Sequence, residues 1–169
     1  MLQFTLDELQ AQLEYSIGLA EEAGMRIDTG IHGASQTIIE ELEEHRLLVR
    51  RRADTMSMRP GGSWSGSAQM SLVDSVGFLM TIAHLPPGSD AMTTDLAMQF
   101  LRPPPSGDLL TEVRVLRMGR RTSVLDVDIL SEGLSGGPVT HATVSFALRP
   151  ASDAGDGASS PSPSQPANE

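Results

Sequence analysis

The stretch SAQMSLVDSVGFLMTIAHL, from Ser67 to Leu85, decides the fold. It predicts a helix that is apolar on nearly every face, and such a helix is stable only when most of its surface is covered. Pro86, Pro87 and Gly88 end it. Asp74, Ser75 and Thr81 interrupt its most apolar part, Met70 to Leu85, so it is too short and too broken to span a bilayer. Its cover must come from the rest of the chain. Downstream, four β-like runs follow, Met92–Leu101, Leu109–Met118, Thr122–Leu130 and Pro138–Leu148, separated by the turn signals RPPPSGD, GRR and SEGLSGG. Several alternate apolar and polar residues, as in Ser123 to Ile129. Upstream lies the glycine- and serine-rich loop Arg59–Ser67.

Before that loop, TIIEELEEHRLLVRRR is ambiguous. Its glutamates and leucines favour helix by local propensity, whereas two short strands, Gln36–Leu42 and Arg46–Arg52, joined by a polar turn fit equally well. Asp28–Ser35, with two glycines, predicts a loop. Thr5–Ala23 predicts an amphipathic helix: Leu6, Leu9, Leu13, Ile17 and Ala20 recur at three- or four-residue spacing, Thr5 and Glu8 form a capping box, and Gly24 is a stop. The tail ASDAGDGASSPSPSQPANE lacks large apolar residues and predicts disorder. The expected organisation is a helix and loop over 1–35, one folded domain over 36–150 and a tail over 151–169. The fold class is α+β, an apolar helix packed on an antiparallel sheet.

The chain has 169 residues, no cysteine and a formal net charge of −10. The absence of cysteine excludes a disulfide scaffold, a CxxC redox site and thiolate metal clusters. All 12 basic residues are arginine. The amino terminus has no basic flank and early acids, unlike a secretory signal, so a soluble cytoplasmic protein is expected. The acidity is unevenly distributed: residues 1–44 hold ten acids against Arg26, residues 45–150 hold eleven arginines against nine acids, and the tail adds three acids. The total argues against nucleic acid or an anionic membrane as partner, while the middle of the chain is slightly basic.

From Pro60 to Ser89 the single charged residue is Asp74. A lone carboxylate in so apolar a segment costs several kcal/mol unless it is paired, hydrogen-bonded or solvated in a cleft. It is either an exposed or backbone-bonded structural residue, or a carboxylate poised as base or nucleophile. The loop Trp64-Ser65-Gly66-Ser67 meets the start of the helix, where unpaired N–H groups and a partial positive charge favour a developing oxyanion, and glycine permits close approach. Asp74 lies seven residues beyond Ser67, roughly 10 Å along the axis. That is too far for both to touch one atom on one subunit's helix, whereas a second, antiparallel copy of the helix across a dimer interface could bring the groups together. Ser65 and Ser67 are not in a G-x-S-x-G elbow and are not expected to be nucleophiles. His141 has no sequence-adjacent serine or acid to suggest a triad, and His84 sits where it can interact with the helix dipole. Trp64 and Phe78 either line an apolar pocket or fill the core.

RPGGSWSGSAQMSLVDSVGF, TTDLAMQFLRPPPSGDLL, MGRRTSVLDVDI and PVTHATVSFAL, in this order and spacing from Gly61 to Leu148, resemble the hotdog-fold thioesterases of the PaaI type. The resemblance implies a hotdog fold, a curved antiparallel sheet wrapped around the central helix, and selects the two-strand reading of Gln36–Arg52. It implies hydrolysis of an acyl-CoA thioester by a homodimer or dimer of dimers, with no cofactor beyond the CoA of the substrate. The family's acid falls on Asp74, as general base or nucleophile. Its His-Gly-Gly falls on Ser65, Gly66 and Ser67, so Gly66 keeps the oxyanion position while Ser65 replaces the histidine. A loop position often occupied by asparagine falls near Arg59, and a hydroxyl thought to position water falls on Thr93 or Thr94. Arg102, Arg117, Arg120 and Arg121, with Arg59, are the candidates to hold the CoA phosphates. The alternatives are a non-catalytic acyl-CoA binding or sensing module on the same fold, and a hydratase, for which the loop lacks the usual histidine.

Overall fold

A computed structural model describes residues 1–22, 37–53, 58–149 and 151. Its elements, in order, are α1 (Leu6–Glu22), β1 (Thr37–Glu43), β2 (Arg46–Arg51), α2 (Gly66–Ile82), β3 (Asp90–Phe100), β4 (Leu109–Met118), β5 (Thr122–Ser131) and β6 (Thr140–Arg149). The strands form one sheet in the order β1-β2-β4-β5-β6-β3, every neighbouring pair antiparallel. The ambiguous segment is therefore a hairpin. Leu47, Val49 and Arg51 alternate inward with period two, and this burial overrides the helical propensity of the glutamates.

The apolar helix lies against the inner face. Leu72, Val73, Val76, Leu79 and Met80 are buried with Val113, Leu125, Val127, Ile129, Val144 and Phe146 from the strands. Contact is closest at Gly77, where a Cβ would stand 2.8 Å from Val144 Cγ1 and 3.0 Å from Phe146 Cε2. Two polar pairs lie on this interface: Thr81 and Ser123 share a hydrogen bond of 3.0 Å, and Thr140 donates to Gln69 Oε1 at 2.5 Å.

The capping box at the start of α1 forms: Glu8 accepts from the Thr5 N–H at 2.8 Å, and Thr5 Oγ1 accepts from the Glu8 N–H at 3.3 Å. Leu9 and Leu13 of its apolar stripe are buried. The predicted stop at Gly24, the loop Asp28–Ser35 and the tail beyond Ala151 lie outside the described residues. Element ends differ by a few residues from expectation: α2 closes at Ile82 because His84 and Leu85 turn out through shorter-range hydrogen bonds to Thr81 and Ile82. Among the described residues, no helix is long and apolar enough to cross a membrane.

Candidate active site

Asp74 projects from the middle of α2 on its partly exposed side. Thr93 of β3 donates its hydroxyl hydrogen to Asp74 Oδ1 at 2.5 Å. The choice between Thr93 and Thr94 is made by an irregularity in the β3–β6 ladder between Thr93 and Asp95. The extra residue re-aims the side chains, so Thr93 meets the carboxylate while Thr94 bonds the Ser145 carbonyl at 3.2 Å. β3 is a sheet edge, which leaves this pair accessible.

Gly66 opens α2, where the N–H groups of the first turn have no intrahelical acceptor. Ser65 is the N-cap, and its Oγ accepts from the Ala68 N–H at 3.1 Å and lies 3.2 Å from Ser67 Oγ. Glycine at 66 also has a packing reason, since a Cβ there would stand 3.3 Å from the Phe100 ring. The same helix end borders a pocket of about 400 Å³ lined by Arg59, Trp64, Gly66, Phe100, Arg102 and Pro104 among others. Trp64 is buried and donates from its indole to the Gly107 carbonyl at 2.8 Å, so it fixes this loop and supplies one wall of the pocket. Eight residues separate Gly66 from Asp74, about 12 Å of helix.

The arginines grouped in the sequence as one nucleotide end are separated here. Arg102 sits at the end of β3 and donates to the carbonyls of Ser135, Gly137 and Pro138, pinning that loop. Arg117, Arg120 and Arg121 surround the β4–β5 turn at the opposite end of the sheet, exposed and without an ion pair among the described residues. Seven residues of β5 separate the two levels, roughly 23 Å of strand. On one chain they cannot grip the same phosphates. The turn arginines share an end of the sheet with the Asp74–Thr93 pair, and Arg59 and Arg102 share the other with Gly66.

His141 is a strand histidine, in β6. Its sequence neighbours carry no acid, but strand register sets it opposite Asp128: Nδ1 lies 2.8 Å from Asp128 Oδ1 and Nε2 lies 3.4 Å from Asp126 Oδ1. Donors and acceptors of Asp126, Asp128 and His141 approach within 4.8 Å, close enough to hold a cation. Arg114 already supplies one, donating at 2.6 Å to each carboxylate. The group faces away from α2 and belongs to the solvent side of the sheet. His84 bridges the Met80 carbonyl at 3.0 Å and the Glu44 carbonyl at 2.7 Å, tying the end of α2 to the β1–β2 turn.

A lone carboxylate braced by a hydroxyl can act as a base, and a glycine-led helix start offers backbone N–H donors to a developing oxyanion. Residues 61–136 match the family model described as Thioesterase superfamily. A candidate thioesterase from Silicibacter sp. is 30% identical, with 89% of this chain and 95% of that one covered and a TM-score of 0.74. A thioesterase from Haemophilus influenzae is 21% identical, with 89% and 96% covered and a TM-score of 0.69. A hypothetical thioesterase from Streptococcus pneumoniae, solved with coenzyme A, is 23% identical, with 73% and 95% covered and a TM-score of 0.62. The last two share the fold. No curated protein matches the chain in sequence. The chain belongs to the thioesterase superfamily and has the hotdog fold. Thioester hydrolysis is the class of activity that this membership carries.

Sequence reasoning did not find two features. Phe100 was hidden because its contact with Gly66 joins residues 34 positions apart. A second pocket, between α1 and the end of α2, is lined by Phe4, Phe78, Ile82 and Leu85 among others; only Phe78 was marked in the sequence.

Proposed function

We propose that the chain is a soluble, cytoplasmic acyl-CoA thioesterase of the PaaI type. The observation that carries this reading is the Asp74–Thr93 hydrogen bond at an open sheet edge. Asp74 takes a proton from water, and the oxygen attacks the thioester carbonyl. The tetrahedral oxyanion collapses, the C–S bond breaks, and the CoA sulfur leaves as thiolate and is protonated, giving free acid and CoA. Direct attack by the carboxylate, with later hydrolysis of the anhydride, uses the same residue. Thr93 holds the carboxylate in register, and the Gly66 N–H receives the oxyanion. No cofactor is required.

A homodimer, or a tetramer built from two, completes the site. The 12 Å between Gly66 and Asp74 is closed when a second copy brings its Gly66 to this chain's Asp74. Exposed Met70, Met92, Phe100 and Leu101 beside the open β3 edge support such an interface. The same pairing brings Arg59 and Arg102 of one copy toward the turn arginines Arg117, Arg120 and Arg121 of the other, which gathers the cations for the CoA phosphates. Free-thiol release from a panel of short, medium and aryl acyl-CoAs tests the reading. Hydrolysis of at least one class supports it. Calorimetric binding of intact acyl-CoA without turnover overturns it in favour of the sensing module.

A further inference from the structure

Gln69 carries the one side-chain amide of α2, and it is buried. A primary amide in an apolar interior destabilises the fold unless its groups find partners. Its acceptor is met from the sheet: Oε1 takes the hydroxyl hydrogen of Thr140, which is itself fully buried, at 2.5 Å. Its donors turn back onto the start of the helix. There Nε2 donates to the Ser65 carbonyl at 3.4 Å and to the Trp64 carbonyl at 3.5 Å. The Ser65 carbonyl also accepts the backbone N–H of Gln69 at 3.2 Å.

The Ser65 carbonyl and the Gly66 N–H belong to one planar peptide group. Holding the carbonyl therefore sets the direction of the N–H that receives the oxyanion in the proposed reaction. Hydrogen bonds accepted by the carbonyl also polarise the peptide, and such cooperativity strengthens a neighbouring bond by roughly 10–30%. An oxyanion donor works through preorganisation, so both effects bear on rate. Gly66 is confined from its other side by the Phe100 ring, which would stand 3.3 Å from a Cβ there. Phe100 and Thr140 are register partners in the β3–β6 ladder. One rung of the sheet thus reaches the helix start twice, once through a ring and once through a hydroxyl and Gln69.

We propose that Gln69, anchored by Thr140, is a positioning residue that orients the Ser65–Gly66 peptide for the oxyanion. This role rests on the hydrolytic reading and adds to it two buried residues that touch no reacting atom. A purely structural amide would affect stability without a selective effect on turnover.

Thiol release and the Gly66 amide resonance, followed in the full chain, test the role separately, because the resonance reports on the peptide whether or not the protein turns over. Thr140→Val keeps the shape of the side chain and removes the hydroxyl, Thr140→Ser keeps the hydroxyl, and Gln69→Leu removes the amide. Thr140→Val and Gln69→Leu are each expected to lower kcat at least about tenfold with KM within about threefold of wild type, the mark of an interaction made in the transition state. Thr140→Ser is expected to keep kcat within about threefold, and the double variant Gln69→Leu/Thr140→Val to lose little more than either single one, as two members of one chain of hydrogen bonds should. The Gly66 cross-peak is expected to move in Thr140→Val and Gln69→Leu and to stay in Thr140→Ser. Gln69→Leu, an apolar side chain on an apolar helix, carries the test if Thr140→Val does not fold. An unmoved Gly66 resonance, a loss confined to KM, or equal losses in Thr140→Val and Thr140→Ser overturns the proposal even if the wild type is an active enzyme. A resonance that moves as expected in a protein that hydrolyses no acyl-CoA leaves the brace standing and sinks only the hydrolytic reading.

Discussion

The hydrogen bond from Thr93 engages one carboxylate oxygen of Asp74, the group proposed as the base. A hydrogen bond to a charged group contributes about 1.5–3 kcal/mol, and each 1.36 kcal/mol of barrier is about tenfold in rate. Thr93→Val is accordingly expected to lower kcat roughly 10–100-fold, with the circular dichroism spectrum unchanged, whereas Thr94→Val, which loses a bond to the Ser145 carbonyl, is expected to stay within about threefold of wild type. Equal loss in both variants would show that the strand irregularity does not select the working hydroxyl. Asp74 was legible in the sequence because a single charge in an apolar helix needs a reason. The choice between the threonines was not, since an irregularity in a ladder depends on the partner strand. The acids beside His141 were hidden for the same reason.

At the scale of elements, α2 lies on β6 through Gly77. Alanine there gains up to about 1 kcal/mol in helix propensity. Against this, its Cβ meets Val144 and Phe146, both buried and unable to move freely, and overpacking costs about 1–3 kcal/mol. The clash is the larger effect. Gly77→Ala is expected to lower Tm by a few degrees by differential scanning calorimetry, about 2–4 °C per kcal/mol for a chain of this size, and Gly77→Val by more. An unchanged or raised Tm would mean the helix sits farther from the sheet. The order of elements, and the burial of α2, were readable from periodicity and turn residues. The β1–β2 hairpin was not, because its glutamates are helix formers and only docking against β4 gives Leu47 and Val49 an inside.

Over the whole molecule, charge is arranged by face. The side of the sheet away from α2 carries a network in which Arg46 bonds Glu41 and Glu112, and Arg114 bonds Glu112, Asp126 and Asp128. Burial raises the Asp128 carboxyl, but hydrogen bonds from Arg114 and His141 outweigh it and hold the group below its ordinary range. A folded pKa below the unfolded value of about 3.9 gives stability that is present above that pH and lost as pH falls through the lower folded value. Arg114→Gln is therefore expected to lower stability near neutrality and to flatten its fall on acidification, read as chemical denaturation midpoints between pH 7 and pH 3; parallel curves for wild type and variant would count against it. The exposed turn arginines act at longer range. Replacing Arg117, Arg120 and Arg121 by glutamine is expected to raise KM for acyl-CoA several-fold and weaken its dependence on ionic strength, with little change in kcat. A KM unmoved by the triple substitution would place the phosphates elsewhere. The segmental charge pointed to a basic middle, but only the fold showed its arginines lying at two ends of one sheet.

In the proposed reaction everything depends on Asp74 as base or nucleophile. Steady-state thiol release by Asp74→Asn against wild type, on the acyl-CoA that the wild type turns over best, tests it most directly. A fall in kcat of roughly 10²–10⁴-fold is expected, with Tm and oligomeric state retained. A variant that keeps kcat within a few-fold of wild type would contradict it.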